Sequence, residues 1–79
     1  MTEIQKLTLG GYVLNSMEDY FFRLDGGQTT NLYNLVLEEI EGPLFRSVMK
    51  HTKNNQSNAA SILGISRGTL RKKIKQYSI

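Results

Sequence analysis

Asn54-Asn55-Gln56-Ser57-Asn58-Ala59-Ala60-Ser61-Ile62-Leu63-Gly64-Ile65-Ser66-Arg67-Gly68-Thr69-Leu70-Arg71-Lys72-Lys73-Ile74-Lys75-Gln76-Tyr77 is the stretch whose reading decides the fold. Two short helical patterns meet in it at Gly64. Ser66 is placed to cap the second, because a serine hydroxyl accepts from a first-turn backbone N–H that has no intrahelical partner. Ile65 before the cap and Leu70 at the fourth helical position have the spacing of a hydrophobic staple. Leu70, Ile74 and Tyr77 then recur at intervals of four and three and make one apolar stripe. Thr69, Arg71, Lys72 and Lys75 fall on the remaining arc, with Gly68 among them offering close approach to a phosphate or base edge. The first pattern opens at Asn55 as its N-cap and turns Ala59, Ala60 and Leu63 inward before the break. A small Ala60 four residues before Gly64 suits two helices that cross at close range. The pattern predicts a helix-turn-helix.

Charge is divided along the chain in the same sense. Residues 1–45 hold two basic and seven acidic side chains, whereas residues 46–79 hold eight basic and none acidic, giving +3 overall. A basic C-terminal unit joined to an acidic N-terminal unit suits a chain whose one end meets polyphosphate and whose other end meets protein. Double-stranded DNA is the expected partner.

Seventy-nine residues leave room for one domain, and a chain of this size buries only about 60% of its unfolded surface. Disulfides cannot reinforce it, because there are no cysteines, and thiol chemistry and Cys-based zinc sites are excluded with them. No apolar run approaches the ~20 residues of a membrane span, and Met1-Thr2-Glu3 does not open a signal peptide. A cytoplasmic protein is expected.

Support for so small a core is expected from a second copy of the chain. Val13, Leu14, Met17, Phe21 and Leu24, with Tyr20 alongside, form an amphipathic pattern that stops at Asp25-Gly26-Gly27, where glycine can take the left-handed C-terminal position. A longer pattern begins near Thr30 or Asn31 and carries Leu32, Tyr33, Val36, Leu37, Ile40, Leu44, Phe45, Val48 and Met49. With Leu35 added, its apolar residues are too many for one stripe. Val36, Leu37 and Ile40 are therefore expected at a two-fold interface. Pro43 lacks an N–H and crowds the carbonyl of Glu39, yet the apolar spacing runs in phase from Ile40 to Leu44 to Val48, so one kinked helix is expected. The fold class that follows is all-α: four helices, a homodimer with the N-terminal helix pair as its core, and a C-terminal helix-turn-helix. Within a single domain of residues 1–79, the tail is assigned to 1–9, the dimerisation helices to 10–52 and the DNA-binding unit to 54–79.

The sequence from about Val13 to Tyr77 resembles the Fis family of nucleoid-associated proteins, the factors for inversion stimulation. The likeness rests on Leu32-Tyr33, Leu35-Val36-Leu37, Glu41-Gly42-Pro43-Leu44, Asn55-Gln56, and above all the run from Gly64 to Lys75. It implies a homodimer with one helix-turn-helix at each end, recognition helices closer together than one turn of straight B-DNA, and a duplex that bends to receive both. Carried over by position, the DNA-contacting set is Asn55, Ser57, Ser66, Arg67, Thr69, Arg71, Lys72 and Lys73, with Arg67 reading a guanine edge. Ser66 stands where the best-known members have Asn, and Ser57 where they have Thr. Longer members carry an N-terminal β-hairpin arm that touches DNA invertases, whereas about a dozen residues precede the first helix expected here. DNA architecture and transcriptional control are accordingly what the resemblance implies, with RNA polymerase as a further partner.

Other residues point to no chemistry. His51 is the sole histidine, and near the end of the long helix it suits the C-terminal dipole rather than a metal. Glu38, Glu39 and Glu41 read as a solvated helix face, and the tyrosines and phenylalanines as core and interface at helical spacing. No nucleophile, base and orienter can be assembled, so neither an enzyme nor a cofactor is expected. Two alternatives stay open: the DNA-binding domain of an enhancer-binding-type activator, which resembles Fis in the same motif, and a protein- or RNA-interaction dimer without duplex specificity. A short chain starting at Met1 without an ATPase motif speaks against the first.

Overall fold

The computed structural model describes residues 8–79, and its described residues form four helices and no strand. They are α1 (Leu9–Leu24), α2 (Leu32–His51), α3 (Gln56–Leu63) and α4 (Arg67–Gln76). The chain divides into two compact units, Met1–Thr30 and Asn31–Ile79.

In the first unit, Thr8 caps α1 through its Oγ1, which accepts from the Gly11 amide at 3.0 Å. The helix thus starts before the Gly10 boundary expected from the pattern, and Leu9, assigned to the tail, is its first residue. A Thr hydroxyl satisfying an orphan first-turn donor outweighs the weak helix propensity of Gly10 and Gly11. Residues 1–7 of the expected tail lie outside the described residues. Asp25 rather than a glycine takes the left-handed position that ends α1, at φ 50°, and Gly26 follows at φ 81°. A short side chain such as Asp tolerates this region better than most. Val13, Met17, Tyr20 and Leu24 are half-buried, and no residue of α1 is buried outright.

The second unit carries the core. Asn31 precedes α2 at φ 61° without capping it by its side chain, and Asn34 Nδ2 donates to Asn31 Oδ1 at 2.6 Å. Pro43 lies inside one uninterrupted helix, as the phase of the apolar residues predicts. Every buried residue of α2 stands at or after Gly42: Gly42, Phe45 and Met49. Phe45, Met49, Ala59, Ala60 and Leu70 form the core, ringed by Val48, Leu63, Ile65, Ile74 and Tyr77. Ala59 and Leu70 have no exposed surface at all, so α3 and α4 meet through the smallest and the best-fitted apolar side chains of the motif. Losing the Leu70 side chain to Ala would cost about 2–5 kcal/mol.

Two left-handed residues in succession, Lys53 (φ 54°) and Asn54 (φ 66°), turn the chain from α2 into α3. The Asn54 amide closes this turn on the Met49 carbonyl at 2.8 Å.

Candidate nucleic-acid interface

The helix-turn-helix is built from local signals that act as read from the sequence. Asn55 Oδ1 accepts from the Asn58 amide at 3.0 Å and caps α3. Gly64 ends that helix at φ 75°, its amide reaching the Ala60 carbonyl at 2.9 Å. A Cβ there would meet nothing within 4 Å, so the demand for glycine is one of backbone conformation rather than space. Ser66 caps α4, its Oγ accepting from the Thr69 amide at 3.1 Å and donating to Thr69 Oγ1 at 3.0 Å. Ile65 and Leu70 are respectively half-buried and buried, as a staple requires.

Helical phase then decides which side chains α4 offers to a ligand. At about 100° per residue, Gly68, Lys72 and Lys75 stand roughly opposite the buried Leu70, while Thr69 and Arg71 flank it on either side. Asn55, Ser57, Ser66, Arg67, Thr69, Arg71 and Lys72 are all exposed, as is Lys75. Arg67, Arg71 and Lys75 repeat at intervals of four, and like charges at that spacing each cost an isolated helix about 0.2–0.5 kcal/mol. Such a row is relieved by an external polyanion. Arg71 also ties the two helices of the motif together, with Nε 3.4 Å from Gln56 Oε1 at the start of α3.

Lys73 is placed differently from the rest of the expected set. Like Arg67 it lies about 60° from Leu70 around the helix, but it is half-buried and forms an ion pair with Glu41 Oε1 at 2.9 Å. The same oxygen accepts the Tyr77 hydroxyl at 2.7 Å. Glu41 therefore does not belong to a solvated face with Glu38 and Glu39, which are exposed; it is drawn under α4 because a tyrosine tip and an ammonium converge on it. The Tyr77 hydroxyl and then Lys73 hold the Glu41 carboxyl below its ordinary range. The hydrogen bond to Glu41, assisted by burial, pushes the Tyr77 phenol up to about 12. Tyr77 is further fixed by stacking on Phe45, with ring centroids 6.4 Å apart and planes 19° from parallel. Arg46 Nη2 donates to the Tyr77 carbonyl at 3.3 Å, placing a cation at the negative end of α4. Sequence reasoning left Glu41, Arg46 and Gln56 without roles here. The one available signal was Tyr77, an apolar-stripe residue whose polar tip needs a partner when it is packed.

His51 is the last residue of α2 and Lys50 precedes it, both in the final turn. Among the described residues no group of three or more His, Asp or Glu could hold a metal ion, and no helix is long and apolar enough to cross a membrane.

A capped pair of helices crossing at Ala59, Ala60 and Leu70, with a cationic outer helix, defines a helix-turn-helix protein. The model of the bacterial regulatory protein family named for Fis matches residues 36–77. The protein named DNA-binding protein Fis in Buchnera aphidicola is 53% identical over 68 residues, covering 85% of this chain and 69% of the relative. Its namesake in Glaesserella parasuis is 52% identical over 67 residues, covering 85% and 68%. That of Vibrio cholerae is 44% identical over 77 residues, covering 98% and 79%. The chain belongs to the Fis family.

Proposed function

We propose that this chain is a homodimeric, nucleoid-associated transcriptional regulator of the cytoplasm that binds double-stranded DNA through α4, bends it, and prefers sequences only loosely. The observation that carries the reading is the exposed surface of α4, where Thr69, Arg71, Lys72 and Lys75 stand around Gly68 and Arg67 is exposed at the first turn, on a helix locked to α3. Relatives named as DNA-binding proteins support it. In the proposed DNA-facing set, Asn55, Ser57, Ser66 and Thr69 bond to backbone or base edges, Arg67 reads a guanine, and Arg71, Lys72 and Lys73 meet phosphates. No reaction is assigned to the protein.

The dimer is supported by apolar surface that a lone chain leaves open. Leu9, Tyr12, Leu14, Phe21 and Phe22 on α1, and Tyr33, Leu35 and Leu44 on α2, are all exposed. A second copy related by a two-fold axis covers such surfaces on both chains at once. Val36, Leu37 and Ile40, half-buried in the single chain, are assigned to that interface. A core of so few helices is narrow, and two helix-turn-helix units at its ends fall short of the ~34 Å that straight B-DNA asks. The duplex then bends, at about 1–6 kcal/mol for 40–90°, and compression of the minor groove favours A·T-rich centres. RNA polymerase is the further partner this reading includes.

Selection from random duplexes, with RNA as competitor, tests the reading. Enriched duplexes with A·T-rich centres, position-dependent mobility of circularly permuted fragments and a solution mass of two chains are expected. Equal capture of RNA would favour an RNA-interaction module instead, and a straight duplex would sink the bending mechanism.

A further inference from the structure

Among the described residues one side-chain carboxylate reaches the basic helix-turn-helix, and it comes from α2. We infer that Glu41 is a positioning residue for DNA binding: it holds the Lys73 side chain in one place, so that the ammonium meets the phosphate backbone already ordered. The inference deepens the proposed function and rests on α4 being the DNA-binding helix.

Lys72 and Lys75 are exposed, and a long lysine side chain on an open surface loses its rotamer freedom when it meets a phosphate. Lys73 has already lost it. Its Nζ donates to Glu41 Oε1 at 2.9 Å, with side-chain exposures of 26% and 18%, so solvent and salt screen the pair less than one on the open surface. The tether is itself anchored. The Tyr77 hydroxyl donates to the same carboxylate oxygen at 2.7 Å, and Tyr77 in turn is held by the Phe45 ring and by Arg46 at its carbonyl. An ammonium has three donors, so one bond to Glu41 leaves Lys73 two for a phosphate oxygen. Such an ammonium attracts two anions at hydrogen-bond distance while they repel each other across a longer gap, and the shared arrangement is favourable.

The sign of the effect makes the role measurable. Removing an acid from a DNA-binding surface strengthens binding when its charge acts only through space, because less negative potential faces the phosphates. Removing a positioning acid weakens it, by roughly three- to tenfold for each side chain that must then be ordered afresh. Affinity for one duplex, at fixed salt and well below the melting temperature, is compared for the wild type, Glu41→Met, Lys73→Met and the double variant. Glu38→Met, at an exposed position of the same helix, is the control for charge alone. Expected are weaker binding for Glu41→Met in the wild-type background, no such weakening once Lys73 is replaced, and no weakening for Glu38→Met. Unchanged or tighter binding by Glu41→Met overturns the inference. Equal weakening in both backgrounds also overturns it, since a role confined to folding would act whether or not Lys73 is present. Should Glu41→Met fail to fold by circular dichroism, Tyr77→Phe, which loosens the carboxylate, decides by the same comparison of backgrounds. Unchanged affinity in Lys73→Met overturns this inference alone, whereas failure of the wild type to bind any duplex overturns the DNA-binding reading itself.

Discussion

The hydroxyls of Ser66 and Thr69 are bonded to each other at 3.0 Å, while Ser66 Oγ also accepts the Thr69 amide at 3.1 Å. Two side chains proposed to touch DNA are thus held in place before any DNA arrives. Pre-organisation of this kind lowers the ordering cost of binding. Ser66→Ala removes both bonds and should destabilise the fold by about 1 kcal/mol, whereas Ser66→Asn keeps a side-chain oxygen at the cap and should cost little. Urea denaturation at fixed protein concentration measures both. Equal destabilisation in the two variants would show that the cap contributes less than the hydroxyl pair.

Arg67 is the first residue of α4, and a bidentate bond to a guanine edge is worth about 1–3 kcal/mol of discrimination. Arg67→Ala should flatten preference at one symmetric pair of positions and spare binding to random sequence. Competition between specific and random duplexes reads the difference, and equal weakening on both would remove Arg67 from base readout.

Arg71 and Lys72 call for the opposite outcome. Changing either to Ala should weaken binding to all sequences alike and make the salt dependence shallower by about 0.9 for every phosphate no longer neutralised. An unchanged slope in both variants would take them off the backbone.

At Ile40, half-buried in the single chain, Asp would bring a charge into the interface proposed for Val36, Leu37 and Ile40. Burying an unpaired carboxylate costs several kcal/mol. Sedimentation should find Ile40→Asp unfolded or monomeric at concentrations where the wild type is dimeric. A folded, monomeric wild type at micromolar concentration would end the dimer argument.

The Glu41 and Tyr77 pair sets limits in pH. Tyr77 is raised from 10.0 to about 12 on folding, so its contribution is complete below pH 10 and disappears as pH climbs through about 12. Glu41 is lowered from 4.5, so its contribution is complete above that value and fades as pH falls toward the depressed one. Tyr77→Phe should abolish the alkaline loss and soften the acid one, leaving Lys73 to hold the carboxylate. Melting temperature against pH tests this, and absorbance titration should find one tyrosine ionising later than the others.

The helix-turn-helix is legible in the sequence because its signals act within four residues: Asn55 and Ser66 as caps, Gly64 as the left-handed stop, Ala59, Ala60 and Leu70 as the crossing point. Pro43 can be placed inside one helix because apolar phase persists across it, and phase outweighs a single missing hydrogen bond when both sides are packed. Asp25 and Lys53 are harder. Their left-handed backbones carry no glycine, and only the closing bonds to Phe21 and Lys50 show why the chain accepts them. Glu41 eludes the sequence for a different reason. Its partners lie 32 and 36 residues away, and a carboxylate on a helix with two acidic neighbours looks solvated until the tertiary fold is known. For the proposed DNA-facing set, periodicity places Thr69, Arg71 and Lys72 outward; Asn55, Ser57, Ser66, Arg67 and Lys73 join it by resemblance alone.

Outright burial within α2 is confined to the residues from Gly42 onward, although the whole helix belongs to one compact unit. Its second half gains protection from solvent exchange together with α3 and α4, in a single chain and at any dilution. Its first half, under the dimer reading, is protected only by mass action. Between them sits Pro43, which leaves the Glu39 carbonyl without an amide donor and so spends least where the helix changes allegiance. Amide exchange should therefore break at this point, with rates that depend on protein concentration before it and not after. A rod of that kind can fray at one end while keeping its grip at the other.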